Sequence, residues 1–518
     1  MLFNSFIFIF IFLPITLIVY FFIGRYGYRK IAISWLVIAS LFFYGWWNTS
    51  YLFLLVGSII FNYLLGLLLS GQRSQLHKKG LLIFGITVNL VAIGYFKYAG
   101  FFISNVNVIF EQNYTFDNII LPLAISFFTF QQIAYLVDAY RSEAKEYNFL
   151  YYCLFVTFFP QLIAGPIVHH KEMMPQFINN PLEKINYNNL SIGISIFIIG
   201  LFKKVVIADN MALFSTPVFN AAEANVVLTL FEAWGGAFAY TFQLYFDFSG
   251  YCDMAIGIAF MLGVKLPMNF NSPYKAQSII EFWRRWHMTL SRFLRDYLYI
   301  PLGGNRHGKT RKYINILLTM LIGGLWHGAG WTFIIWGGMH GIFLMINHAW
   351  RRVVNIYGKG KSIISWKARV VYTLITFHAV VVAWVVFRAE SVTGAKNIIS
   401  SMLGFNGLSL PKSMSERFSG MDLMPERFIS YDGMFHNNVA IWGEIGFLLM
   451  LFLVATTWVM PNTIQIMKSF NPVIDTVTYN SKRLVFKLNL FWAVTIGVLL
   501  GISILHLGQA SEFLYFQF

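Results

Sequence analysis

Apolar residues in this chain run in long unbroken blocks, with short basic stretches between them, and do not alternate with polar ones. A helix crossing a bilayer core takes ~20 mainly apolar residues. Runs of that kind lie near 2–24, 31–47, 51–70, 80–96, 119–137, 149–168, 190–208, 226–246, 250–264, 313–327, 330–349, 370–387, 439–460 and 485–508. Glycine and proline shorten or break several of them, notably around 160–166, 247–264 and 323–341. Broken segments of this type read as re-entrant, a form tolerated only where protein or a cavity covers the backbone. The pattern predicts an all-α, polytopic integral membrane protein with roughly 11 to 14 membrane segments, forming one body over residues 1–518. Residues 1–24 carry no charge, and Arg25, Arg29 and Lys30 follow that run. A cleaved signal peptide places its positive charge before the apolar region, so the first segment reads as a retained span.

Composition removes the competing classes. The chain is 57% hydrophobic and only 12% charged, yet its net charge is +16. Soluble domains carry about 25% charged residues, which excludes disorder and an ordinary soluble enzyme. Proteins that grip nucleic acid are rich in charge as well as biased, so no nucleic-acid partner is expected. Cys153 and Cys252 both lie in apolar runs and read as buried thiols. The position of the charge matters more than its sum. Loops 25–30 and 71–79 carry +3 each, loop 265–312 carries +8, and loop 351–369 carries +6. These four hold +20 together, more than the whole chain, whereas loop 388–438 nets zero. Positive charge in short loops marks the cytoplasmic side. Alternating the spans from an extracytoplasmic N-terminus puts all four basic loops inside and loop 388–438 outside.

Three stretches carry chemistry. In residues 281–306, Trp283, Trp286, Leu290, Leu294, Tyr297 and Leu298 share one arc of a helical wheel, with Arg284, Arg285, Arg292 and Arg295 opposite. An interfacial helix whose arginines meet anionic lipid headgroups is one reading; it leaves His287, inside the apolar arc, unexplained. His327 lies deep in an apolar run, ~20 Å from its basic end at 1.5 Å per residue. Ionisable groups at that depth mark functional sites by default, although a hydrogen-bonded packing histidine is the alternative. Gly323, Gly324, Gly328 and Gly330 surround it, permitting close approach of another backbone or a substrate. His340 falls roughly 220° further round a continuous helix and so need not share the site of His327. Asp247 and Asp253 sit amid apolar sequence and demand partners, expected among the arginines of 284–295 or a histidine. His169, His170 and Glu172 have no zinc-like spacing, and no metal is expected. Phosphate-binding, dinucleotide-binding and serine-hydrolase motifs do not occur.

The stretches FWRRWHMTLSRFLRDYLYIPLGGNR at 282–306 and GGLWHGAGWTFIIWGGMHG at 323–341 resemble the signatures of membrane-bound O-acyltransferases. The bacterial branch that includes the membrane subunit of alginate O-acetylation is the most similar. SFFTFQQIAYLVDAYR at 126–141, FFPQLIAGPIV at 158–168, DFSGYCDMAIG at 247–257 and VVFRAES at 385–391 follow the family order. The resemblance runs over roughly residues 5–390, is weaker over the C-terminal spans at 439–518, and departs modestly at His169–His170, where an arginine is expected.

That resemblance implies catalytic roles for His327 and His287, which stand 40 residues apart, in a helical body around a central tunnel. Asp253, Asp247, Trp326 and His340 are candidates for supporting roles. Arg284, Arg285 and Arg292 are candidates for binding the phosphates of a donor, since guanidinium suits phosphate and lipid headgroup alike. The implied activity moves an acyl group, acetyl in the first instance, from a cytoplasmic thioester such as acetyl-coenzyme A to a hydroxyl of an extracytoplasmic polysaccharide. Transfer is direct or runs through a partner protein of the SGNH-hydrolase type, expected because the chain holds no fused soluble domain, with loop 388–438 as its docking site. The implied location is a bacterial inner membrane. D-alanyl transfer to teichoic acid is the alternative within the same chemistry, and a proton-coupled transporter or flippase, or a scaffold in an exporter complex, the alternative outside it.

Overall fold

The computed structural model describes residues 1–518 except 72–73, 116–118, 144–147, 180–184, 358–364, 410–428, 431–443, 476–483, 510–511 and 515–518. The fold is helical nearly throughout. Strand pairing among the described residues is confined to a short parallel pair, Leu408–Ser409 with Ile429–Ser430, and a bridge between Leu266 and Val473. Five helical stretches among the described residues are long and apolar enough to cross a membrane: Phe8–Arg25, Ser50–Ser70, Gln75–Phe110, Tyr187–Glu223 and Trp366–Arg388. The sequence pattern counts more segments because it scores apolar runs without their helical limits. Arg29–Gly45, Ile125–Tyr140, Glu444–Val459 and Leu490–His506 are shorter helices. Gly308–His327 and Trp331–Tyr357 are long, but basic residues dilute them, Lys309, Arg311 and Lys312 in the first and Arg351 and Arg352 in the second.

The described chain gathers into two compact units, Met1–Val205 with Phe248–Asn269 and Thr463–Phe518, and Val206–Asp247 with Phe270–Asn462. In the first unit, Phe3, Phe8, Phe43 and Phe159 are fully buried against one another, with ring centres 4.9–6.3 Å apart for the pairs in contact. Runs 226–246 and 250–264, expected as separate segments broken by glycine, are one continuous helix, Leu230–Met261. Its glycines do not turn the chain. Gly250 and Gly257 lie against Gly200 and Gly193 of helix Tyr187–Phe202, where an added Cβ would sit 2.5–2.7 Å from a facing carbonyl oxygen. Only glycine permits that approach, so the run that looked like a break is a helix contact.

The same contact resolves the partner of Asp253. It pairs with Lys203 at 2.6 Å and accepts a hydrogen bond from the Thr463 hydroxyl at 2.7 Å, while Lys203 also donates to Thr463 at 2.7 Å. The expected arginine or histidine partner is therefore replaced by a lysine from the preceding apolar run, where the pair Lys203–Lys204 amid apolar residues was the available signal. Two supporting motifs meet in this unit as well. Gln131 and Gln161 both donate to the Phe155 carbonyl at 2.8 Å, and His170 packs on Tyr135 and Phe155 at 5.4 and 5.3 Å between ring centres. The run 149–168 is correspondingly not one helix: Phe149–Thr157 and Phe159–Leu162 are followed by irregular chain.

In the second unit, helices Gly308–His327 and Trp331–Tyr357 form a tight antiparallel pair joined at Gly328–Gly330. Gly324 and Gly337 make the pairing close, since a Cβ on either would strike the backbone of the other helix. Helix Trp366–Arg388 adds Trp384 and Phe387, both fully buried. Its C-terminal end is fastened by Glu223, which accepts from the backbone N–H groups of Glu390 and Ser391 and from the Ser391 hydroxyl at 2.6–3.0 Å. Arg388 lies over the Phe219 ring at 5.5 Å. The VVFRAES stretch thus anchors the helix that carries two site-lining rings. Of loop 388–438, the described part holds helix Val392–Met402, and most of the remainder falls outside the described residues.

Candidate active site

His327 closes helix Gly308–His327 because the backbone turns extended at Gly328, with φ −161° and ψ 153°. A Cβ at Gly328 would collide with the Phe333 ring, so the turn after His327 depends on that glycine. The chain re-enters helix at Trp331, which overturns the continuous helix on which His340 was placed about 220° away. With the break, Trp336 and His340 lie four residues apart on one face of the second helix, and that face belongs to the site.

His287 reaches the same place by another route. Residues 281–299 do not form the single amphipathic helix that the wheel predicts. Helix Ile279–Trp283 ends, and helix Met288–Leu294 begins with His287 as its N-terminal flanking residue in the left-handed region at φ 42°. That conformation costs a non-glycine residue ~1–2 kcal/mol, and such strain persists only where surrounding structure fixes it. Here the fixing bonds are Trp286 N–H to the Phe282 carbonyl at 2.8 Å, Asn271 N–H to the Arg285 carbonyl at 2.9 Å and Ser291 N–H to the His287 carbonyl at 3.0 Å. The kink drives the imidazole inward, fully buried. The wheel placed His287 away from water correctly, but the cause is a kink and not an apolar helical face.

The two imidazoles stand 6.5 Å apart, centre to centre. His327 is enclosed by Trp326 at 4.8 Å, Trp336 at 5.1 Å and Phe387 at 5.2 Å, and Trp326 also approaches His287 at 6.2 Å. Burial pushes the His287 imidazole down from the ordinary histidine value of 6.5 to about 3, so it is neutral at physiological pH. His340, fully buried, accepts a hydrogen bond at Nδ1 from the Trp283 indole at 3.3 Å. Its ring lies 4.9 Å from that of Trp336. The sequence singles out the histidines and Trp326 and places Trp283 only in an apolar arc; Trp336, Trp384 and Phe387, which also shape the site, are not marked by it. The available signal was the i, i+4 spacing of Trp336 and His340 once a helix break at the glycines is accepted.

The remaining candidates are placed as follows. Arg284 is exposed and Arg292 half-buried. Arg285 is bound to Glu281 through Nε and Nη2 at 3.0 and 2.7 Å, and to the Asn271 carbonyl at 3.2 Å, which stiffens the loop that bears His287. Asp247 is buried in the same unit as the histidines, and Asp253 belongs to the other unit with Lys203.

What this arrangement offers chemically is a buried pair of imidazoles, one of them firmly neutral, in an aromatic enclosure. A neutral imidazole takes a proton from a hydroxyl and, once charged, returns it to a leaving group, and the enclosure keeps water from competing.

A model of the membrane-bound O-acyltransferase family matches residues 81–387. The chain is 47% identical over 462 residues to the peptidoglycan O-acetyltransferase of Helicobacter pylori, covering 84% of this chain and 86% of that protein. It is 41% identical over 430 residues to the probable alginate O-acetylase AlgI of Pseudomonas aeruginosa, covering 82% and 79%. A teichoic acid D-alanyltransferase of Streptococcus thermophilus is 29% identical over 280 residues, covering 51% and 68%.

Proposed function

Since the chain belongs to the membrane-bound O-acyltransferase family, we propose that it transfers acetyl groups from a cytoplasmic thioester to hydroxyl groups of an extracytoplasmic polysaccharide. The observation that carries this reading is the enclosure of His327 and His287 in one aromatic site, 6.5 Å apart. The relatives named for polysaccharide O-acetylation are similar over most of this chain, whereas the D-alanyltransferase likeness covers about half of it. Acetyl therefore takes precedence over D-alanyl.

In the proposed step the acceptor hydroxyl attacks the thioester carbonyl carbon. Its proton goes to His327, a C–O bond forms, the C–S bond breaks, and the leaving sulfur takes a proton to depart as free thiol. His327, charged by the first transfer, gives up that proton to the sulfur, and His287, held neutral, orients the thioester and polarises its carbonyl. Acetyl-coenzyme A fits as donor because Arg284 and Arg292 lie on the stretch that carries His287 and offer guanidinium groups to phosphate. Anionic lipid headgroups would meet the same arginines. A partner of the SGNH-hydrolase type is the proposed receiver where transfer to the glycan is indirect. The assigned setting is a bacterial plasma membrane with the N-terminus outside, on the distribution of basic loops.

The test is the O-acetyl content of the surface glycan, read by mass spectrometry in cells with the protein, without it, and with His327→Ala at equal abundance. Loss of acetyl groups in both deficient strains is the expected result. Wild-type acetylation by His327→Ala would overturn the assignment.

A further inference from the structure

Buried polar groups in folded proteins nearly always find a hydrogen-bond partner. Two that do not, among the described residues, lie side by side, the first of them against His327. The Trp336 indole is 1% exposed, and its Nε1 has no partner. His340 is fully buried; its Nδ1 accepts from Trp283, so the proton of the neutral ring sits on Nε2, which has no partner either. Both unmet atoms are therefore donors. An orphaned buried donor is costly, and a fold that keeps two of them together holds them for something other than stability.

Their placement says what for. Trp336 and His340 are successive turns of one helix face, with rings 4.9 Å apart, and the Trp336 ring is 5.1 Å from His327 on its other side. Rings this close set the two donor-bearing side chains beside one another. A partner that needs two neutral donors, in a dry site beside a general base, is a carbonyl oxygen that gains negative charge. We propose that Trp336 Nε1–H and His340 Nε2–H form a paired donor site for the acyl oxygen of the thioester. This rests on the acyltransferase reading above and adds to it the residues that meet the developing oxyanion. As the hydroxyl oxygen bonds to the carbonyl carbon, the C=O electron pair moves onto oxygen, where the two donors hold it. When the pair returns, the C–S bond breaks. The donors keep their protons throughout.

The experiment uses the full-length protein in detergent, with acetyl-coenzyme A as donor and free thiol release as the readout of kcat and KM. Trp336→Phe keeps an aromatic ring, smaller than the indole, and removes the N–H. His340→Asn keeps an acceptor for Trp283 and removes the outer donor, whereas His340→Gln restores a donor near the Nε2 position. Loss of one such donor lowers kcat by ~10²–10³, with KM little changed, and His340→Gln recovers part of the loss. Trp336→Phe deletes an orphaned group but leaves a small cavity, so its thermal midpoint is expected to fall no further than that of Trp384→Phe, a change at an equally buried indole. Wild-type kcat in Trp336→Phe, or a fall in kcat matched by a fall in thermal midpoint beyond that of Trp384→Phe, would overturn the donor site while leaving the acyltransferase reading standing. No thiol release by the wild type, with intact acetylation in His327→Ala cells, would overturn both.

Discussion

His287 and His327 stand 6.5 Å apart with ring planes crossed at 62°, too far for a direct hydrogen bond between them. They do not hold each other; Trp326 packs against both. Groups that act on one reacting centre are strongly non-additive when removed. His327→Ala is expected to lower acetyl transfer by ~10²–10⁴, His287→Ala by a smaller factor, and the double variant by little more than His327→Ala alone. Glycan O-acetyl content and thiol release, measured side by side, check this.

The buried neutral state of His287 predicts a pH dependence of stability. Its folded value is depressed to about 3 against 6.5 unfolded, so only the unfolded chain takes up the proton between those limits. Stability is complete above pH 6.5 and declines as pH falls through the window, by about 2 kcal/mol at pH 5. His287→Gln carries no such proton. Its thermal midpoint should fall less than that of the wild type between pH 7 and pH 5. His170, also lowered by burial, to about 4, contributes equally to both proteins and cancels from the comparison.

Lys203 and Asp253 form a part-buried pair at 2.6 Å, with side chains 14% and 9% exposed. Removing one partner leaves the other charge stranded, at ~3–5 kcal/mol for a buried pair. Lys203→Met should therefore lower folded yield and thermal midpoint sharply. Combining it with Asp253→Asn should restore much of the loss. A double variant no better than Lys203→Met would assign the damage to packing.

The helix contact at Gly257 leaves no room for a side chain, because an added Cβ would lie 2.5 Å from the Gly193 carbonyl oxygen. Gly257→Ala is expected to destabilise by ~1–3 kcal/mol through overpacking. Gly497→Ala, at a helical glycine with open space around its Cβ position, should be neutral or slightly stabilising. Unfolding midpoints of the two variants in one detergent separate the cases.

Sequence alone determined the class of the protein and the names of its two central histidines. Long apolar blocks with charge confined to short loops have one physical solution, a helical membrane protein, because backbone in a bilayer must satisfy its own hydrogen bonds. A histidine amid apolar residues is costly wherever it sits, so its presence at 327 spoke without a structure. Only the tertiary structure decided which residues surround those histidines. Glycines carry two opposite meanings in such a chain: those at 250 and 257 admit a neighbouring helix, and the one at 328 ends a helix. The letters are identical, and the difference lies in what packs against them. The kink at His287 and the return of Trp336 and His340 towards His327 both follow from turns that periodicity does not register. Asp253 found its partner in Lys203 for the same reason: two helices met, and contact between distant segments is not written in the spacing of either.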